Sequence, residues 1–238
     1  MAANGRRRSR HQRAGVSDCA DLGVALDALR DGRFETALPV LECHANAGVA
    51  LAQYHLAWAY ANGDGVGLNY VVAGEWMLRA AHSGFAPAQA RIAWMYANGL
   101  GVDHDDLQAG RWYRAAAEQG SANAQYMLAT MYRWGRYGAE RDAQQMLRWY
   151  SRAAESGFAP AQYQLGKLAM EGKHVDRNPL VAFRWLVAAA TNGSASAKKS
   201  LEKLHAQMSP NERRAAQALL SGKQDSRGST AGRGQHQA

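Results

Sequence analysis

Trp76, Trp112, Trp149 and Trp185 recur at intervals of 36, 37 and 36 residues. A glycine follows each of them eight positions later, at Gly84, Gly120, Gly157 and Gly193, and Gly48 holds the same place one interval earlier. An Ala-Gln pair keeps the register too, at Ala52-Gln53, Ala88-Gln89, Ala124-Gln125 and Ala161-Gln162. A period of this length restricts the chain to stacked supersecondary units, each too small to bury its apolar face without neighbours. The expected fold class is therefore all-α, an elongated array whose units share one core.

Residues 84–120 serve as a sample of one unit. Pro87 suits the first turn of a helix, where a missing N–H costs nothing. Ala88, Ile92, Ala93 and Tyr96 then form one apolar stripe at helical spacing, and Asn98-Gly99 stops it. After Leu100-Gly101-Val102, Asp105 reads as the N-cap of a second helix, with Gln108 in the capping-box position. Asn69, Asp142 and Asn178 occupy the same slot in the other units. The second helix runs from Asp106 to Glu118 and stops near Gly120, so each unit is helix, loop, helix, turn. Alanines recur where helices should touch, at Ala57, Ala93 and Ala129 and at Ala80, Ala116 and Ala153. The four periodic tryptophans are expected to be packing anchors beside them.

Hydrophobic residues make up 47% of the 238, enough to fill such a core, and no run approaches the roughly 20 apolar residues a membrane helix needs. The net charge of +8 suggests a nucleic-acid binder until it is located. Residues 1–17 carry Arg6, Arg7, Arg8, Arg10 and Arg13 with no acid, and residues 222–238 carry a further +2, which leaves +1 for the repeats. Proteins that track phosphates put their charge on the folded surface. Both tails instead have the composition of disordered segments, with an electrostatic tether to nucleic acid or anionic lipid as the sharper alternative for the arginines. No apolar segment follows the arginines as a secretory signal would require, so the expected location is intracellular, in the cytoplasm. Cys19 and Cys43 fall at the start of one expected helix and late in the next, where an antiparallel hairpin brings them close. On the compartment argument they are expected to be reduced.

The strings AQYHLAWAYANGDGV, AQARIAWMYANGLGV and AQYMLATMYRWGRYGA, each followed by a segment such as AGRWYRAAAEQG, resemble the Sel-like repeat, the Sel-one branch of the tetratricopeptide superfamily. The likeness runs from residue 49 to about 200. It implies a right-handed α-α superhelix acting as an adaptor between other proteins, without catalysis. The expected organisation is a basic tail over residues 1–17, an N-terminal hairpin over 18–47, four repeats over 48–193, a half repeat with a closing helix over 194–221, and a tail over 222–238. Two departures stand out. The third inter-helix loop has one extra residue and Trp134 in place of Asn, and Ala169 replaces the tyrosine found at Tyr60, Tyr96 and Tyr132.

By the same resemblance, first helices line the concave face. The stripe turned away from Leu56, Ile92, Leu128 and Leu165 then offers candidate partner-binding residues: Tyr54 and Trp58, Arg91 and Trp94, Tyr126, Thr130, Arg133 and Trp134, and Tyr163 with Lys167. Tyr54 and Trp58, four apart, should touch. A residue type that changes between units points to a partner, and aromatics and arginine dominate interface energetics. The competing reading packs Trp58 and Trp94 between adjacent first helices.

Catalytic patterns do not emerge. Asp103-His104-Asp105-Asp106 coincides with the N-cap slot, and Gly63-Asp64-Gly65-Val66-Gly67 lacks the Gly-Lys-Ser/Thr of a phosphate loop. No cofactor and no metal are expected. The expected function is a non-enzymatic adaptor whose partner is another protein, bound as an extended peptide or a helix. The alternative is a nucleic-acid or anionic-surface binder acting through the arginine tail.

Overall fold

The computed structural model describes residues 19–228. Among them are twelve helices: α1 (Leu22–Arg30), α2 (Phe34–Asn46), α3 (Ala50–Asn62), α4 (Tyr70–His82), α5 (Ala86–Asn98), α6 (Asp106–Glu118), α7 (Ala122–Trp134), α8 (Ala143–Glu155), α9 (Ala159–Glu171), α10 (Pro179–Thr191), α11 (Ala195–Gln207) and α12 (Pro210–Gly228). They pack as sequential hairpins. The arginines Arg6, Arg7, Arg8, Arg10 and Arg13 lie outside the described residues.

Capping chemistry sets the helix boundaries that the sequence suggests. Asn69 accepts from the amides of Val71 and Val72, both at 3.1 Å, and Asp142 from Gln144 and Gln145 at 2.9 and 3.0 Å. The amide of Gln108 donates to Asp105 Oδ1 at 3.0 Å, and that of Val181 to Asn178 Oδ1 at 3.0 Å. Each cap satisfies donors that the first helical turn leaves open. First helices end on a left-handed glycine, as at Gly99 with φ of 62°.

The Ala-Gln register has its own explanation. The alanine is fully buried and gives the backbones room to approach. The glutamine reaches back to the last turn of the preceding hairpin: Nε2 of Gln53, Gln89, Gln125 and Gln162 donates to the carbonyls of Ala45, Ala81, Ala117 and Ala154 at 3.0, 3.2, 3.2 and 2.9 Å. Each of these carbonyls also accepts from the turn glycine three residues later, so the glutamine gives it a second, buried donor from the next helix. One side chain per repeat fixes both the turn and the docking of the following unit.

The chain divides into two compact units between Ala116 and Ala117. In the first, Leu38, Leu41, Leu56 and their neighbours pack α1 to α3, while Met77, Ala80, Ile92 and Met95 join α3, α4 and α5. In the second, Met170, Leu186, Leu204 and Met208 bring together α9 to α12. The site of Ala169 is closely packed despite its missing ring. Gly166 stands where earlier units have Ala57, Ala93 and Ala129, and a Cβ there would come within 2.7 Å of Leu186 Cγ. The fourth unit therefore uses smaller residues on α9 to bring α10 nearer.

Three expectations are sharpened or overturned. Trp149 is buried, and Trp76, Trp112 and Trp185 are half-buried, with Trp76 and Trp112 packed against the core of the first unit. On their outer side polar neighbours lie against the rings: the guanidinium of Arg79 lies 4.4 Å over Trp76 and that of Arg152 lies 4.6 Å over Trp149, while His82 meets Trp112 edge-on at 5.0 Å. Second, Cys19 and Cys43 form a disulfide instead of remaining as thiols. The α1–α2 hairpin holds their Cα atoms 5.8 Å apart, well within bonding range, and a compartment argument carries no information about that geometry. Third, the closing helix starts at Pro210 and continues to Gly228, beyond Ser221. Ser209 and Glu212 cap it reciprocally: Ser209 N donates to Glu212 Oε2 at 2.7 Å, and Glu212 N to Ser209 Oγ at 3.3 Å. The bonds that the carboxylate accepts, from Ser209 N and, at 2.9 Å, from Ser209 Oγ, pull the Glu212 carboxyl below its ordinary range.

Candidate functional site

In the first unit, Trp58 on α3 and Arg91 and Trp94 on α5 come together as one stack. The Arg91 guanidinium lies 4.3 Å from the Trp58 ring centroid and 4.3 Å from that of Trp94. Trp94 sits one turn beyond Arg91 on the same helix, so the local periodicity supplies one slice of the sandwich. The other comes from the preceding first helix. Tyr54 extends the aromatic surface: it meets Trp58 edge-on at 6.3 Å, as expected from the spacing, and Phe85 at 5.4 Å. Trp58 is half-buried against the Ile92 cluster, whereas Trp94 keeps 38% of its surface exposed.

Electrostatically the stack is unusual. Partial burial pulls the Arg91 pKa below its ordinary value, with the phenols of Tyr54, Tyr70 and Tyr113 acting in the opposite sense. The guanidinium stays charged, because arginine titrates far above physiological pH. Tyr70 and Tyr113 belong to the second helices α4 and α6 and are not among the sequence candidates, which come from first helices alone.

The corresponding side chains of the second unit are engaged with each other. Arg133 lies 5.1 Å over Trp134 and donates Nη1 to Gln164 Oε1 at 2.9 Å. Thr130 donates Oγ1 to the carbonyl of Tyr126 at 3.0 Å and approaches the Tyr150 hydroxyl at 3.3 Å. Tyr126 packs on Tyr150 and Phe158 at 5.5 and 5.6 Å, and burial raises its pKa. Tyr163 packs against the Leu186 cluster, and Lys167 and Lys173 both face Glu171, at 3.9 and 2.9 Å. The hydrogen bond from Lys173 is the main reason the Glu171 pKa falls. Of the ten proposed face residues, Tyr54, Trp58, Arg91 and Trp94 thus form one partly open cluster, and the other six contact side chains of their own or the neighbouring helix, with Trp134 the most exposed of them. Phe85 and Phe158 went unrecognised, although each follows a periodic glycine, at Gly84 and Gly157, and that repetition was the available signal.

The longer third loop has a structural consequence. A cavity of about 400 Å³ lies beside it, lined by Tyr132, Arg133, Trp134, Arg141, Met146 and His174 among others. Tyr137 and His174 adopt positive φ, 55° and 63°, at the loop position where the first unit uses Gly65 and Gly101. Among the described residues no group of three or more His, Cys, Asp or Glu is placed to hold a metal ion. Within the Asp103–Asp106 stretch, His104 and Asp106 form only an exposed pair at 3.3 Å, and Asp105 is committed to capping.

Residues 50–85, 86–121, 122–158 and 159–194 each match the Sel1 repeat. The chain belongs to the Sel1 repeat family. Each matched repeat opens at a first helix, α3, α5, α7 or α9, while α1, α2, α11 and α12 flank the matched span. Among solved structures, the chain is similar to a Sel1 repeat protein from Oxalobacter formigenes, with 29% identity, a TM-score of 0.70, and coverage of 76% of this chain and 74% of that one. It is also similar to c5321, a protective antigen of uropathogenic Escherichia coli strains displaying an SLR fold, with 29% identity and a TM-score of 0.69. That likeness covers 78% of this chain but only 44% of the longer c5321 chain. No curated protein matches. Sel1 repeats typically form protein-interaction scaffolds and are generally non-catalytic, and no helix among the described residues is long and apolar enough to cross a membrane.

Proposed function

We propose that this Sel1 repeat chain is a non-enzymatic adaptor that binds a segment of another protein, an extended peptide or a helix, on the face formed by its first helices. The observation that supports it is the Trp58–Arg91–Trp94 stack, which presents a half-buried cation and an exposed indole on α5 against a half-buried indole of the preceding first helix, α3. Such residues form the energetic centres of protein interfaces. The test is affinity purification of the full chain beside the Trp58→Ala/Trp94→Ala double variant and a form lacking residues 1–17. The reading expects partners that the double variant loses and the shortened form keeps. Partners lost only with residues 1–17, and with steep salt dependence, would transfer the function to the arginine segment.

We propose further that the protein works in an oxidising compartment rather than in the cytoplasm. The support is the Cys19–Cys43 bond, since disulfides persist where thiols are not kept reduced. Alkylation of the protein in intact cells, before and after reduction, tests this. Thiols that react without prior reduction would return the cytoplasmic reading.

A further inference from the structure

Arg91 differs from the other cations of the candidate face in what surrounds it. Arg133 has Gln164 as acceptor and Lys167 has Glu171, but among the described residues Arg91 has neither a hydrogen-bond acceptor nor an acidic partner. Its titratable neighbours are the phenols of Tyr54, Tyr70 and Tyr113, and it lies 4.3 Å from the ring centroids of both Trp58 and Trp94. A guanidinium held over two indole rings keeps its N–H edge for hydrogen bonding. That edge carries N–H donors in a planar fork, the geometry that a carboxylate matches with two parallel bonds. The surrounding rings lower the local polarity, which strengthens such a pair once water leaves.

We propose that the Trp58–Arg91–Trp94 stack is a receptor for the side-chain carboxylate of an Asp or Glu within an internal segment of a partner protein. The inference rests on the adaptor reading above and specifies its chemistry. An internal segment fits better than a chain terminus because aromatic surface flanks the guanidinium on two sides. Phe85, with Tyr54 against it, precedes α5, and Trp94 lies one turn past Arg91. A chain crossing this place sets apolar side chains on both flanks of the acid, whereas a terminus would use only one. The stack also holds the guanidinium in place before any partner arrives, which reduces the entropy lost on binding.

The test is selection from a random 12-residue peptide library fixed at both ends in a display scaffold, run on the full chain and on Arg91→Gln, beside a library with free C-termini. The expected result is an invariant Asp or Glu flanked by apolar residues, absent from the Arg91→Gln selection. In solution, an end-blocked selected peptide should lose about tenfold or more in affinity for the unmodified protein on Glu→Gln or Asp→Asn replacement. The same replacement should have little effect with Arg91→Gln. Because the peptide change leaves the protein untouched, misfolding of the variant cannot imitate that loss. Selected peptides without a fixed acid, or the same consensus on Arg91→Gln, would overturn the carboxylate receptor while the adaptor reading stands. An acid recovered only as a free C-terminus would also overturn it. Failure to select any peptide would remove both readings.

Discussion

Gln162 and Asn192 meet side chain to side chain: Nδ2 of Asn192 donates to Gln162 Oε1 at 3.0 Å and also to the carbonyl of Gly157 at 3.1 Å. Since Gln162 Nε2 meanwhile donates to Ala154 O at 2.9 Å, this glutamine is satisfied at both ends. Gln53 makes the donor bond to Ala45, but its Oε1 is buried without a protein partner. Gln162→Leu should therefore destabilise the protein by about 1–3 kcal/mol, because two hydrogen bonds between units are lost, although the Ala154 carbonyl and the Asn192 amide each keep a bond to Gly157. Gln53→Leu should cost less, since it also removes an acceptor that gains nothing from the fold. Urea midpoints of the two variants, compared at equal slope, check the order.

The Ala-Gln period was plain in the sequence, yet its meaning was not. Spacing reports which positions are equivalent, and caps such as Asn69 and Asp142 can be read from it because they bond within a few residues. The glutamine bond spans eight residues and passes from one helix to the next, so only coordinates identify the acceptor. The candidate face follows the same rule. The Tyr54–Trp58 contact is local and was legible, whereas the Arg91–Trp58 stack joins two helices whose relative rotation no single-sequence pattern fixes. Thr130 and Tyr126 show the same limit, since the Tyr150 that meets them comes from the next helix.

Glycines at positive φ separate into two classes that substitution should distinguish. At Gly84 a Cβ would meet nothing within 4 Å, so Gly84→Ala carries only the backbone penalty, about 1–2 kcal/mol. At Gly101, with φ of 73°, the same Cβ would overlap the carbonyl of Tyr70. Because backbone cannot move as a side chain tip does, Gly101→Ala should cost about 2–4 kcal/mol, combining strain with overpacking. Equal melting temperatures for the two variants would contradict this distinction.

Two tryptophans of the second unit, the periodic Trp149 and the loop-side Trp134, should not respond alike. Trp149 retains 7% of its surface, and Trp149→Ala belongs in the core-truncation range of about 3–5 kcal/mol. Trp134, at the end of α7, retains 53%, and Trp134→Ala should change stability by no more than about 1 kcal/mol. Chemical denaturation of both variants provides the comparison. A large loss for Trp134 would mean that its ring supports the neighbouring cavity wall rather than merely lining it.

Burial holds the His55 pKa below its ordinary value of 6.5, so the unfolded chain takes up a proton before the folded protein does. The stability this neutral imidazole contributes is complete above 6.5 and is lost as pH falls toward and through the lower folded value. Urea midpoints should therefore fall between pH about 7.5 and about 5.5. His55→Gln should flatten that part of the profile. A slope that persists unchanged in the variant would assign it to another group.

Two links tie the start of α1 to the end of α2: the Cys19–Cys43 bond and the hydrogen bond from His44 Nε2 to the Ala20 carbonyl at 2.8 Å. They close the same loop from neighbouring residues, so each is strengthened by the other's presence. With the cysteines 24 positions apart, chain entropy assigns the disulfide about 3.5 kcal/mol. Replacing both cysteines with serine should release that amount, and the loss should be local, because α1 buries only Ala25 and Ala28 fully and cannot hold its place by packing alone. Hydrogen exchange in the variant should accelerate across Leu22–Arg30 and leave α7 to α10 as they were. Uniform acceleration along the chain would show instead that the N-terminal hairpin nucleates the repeats behind it, as an end unit of a cooperative array can.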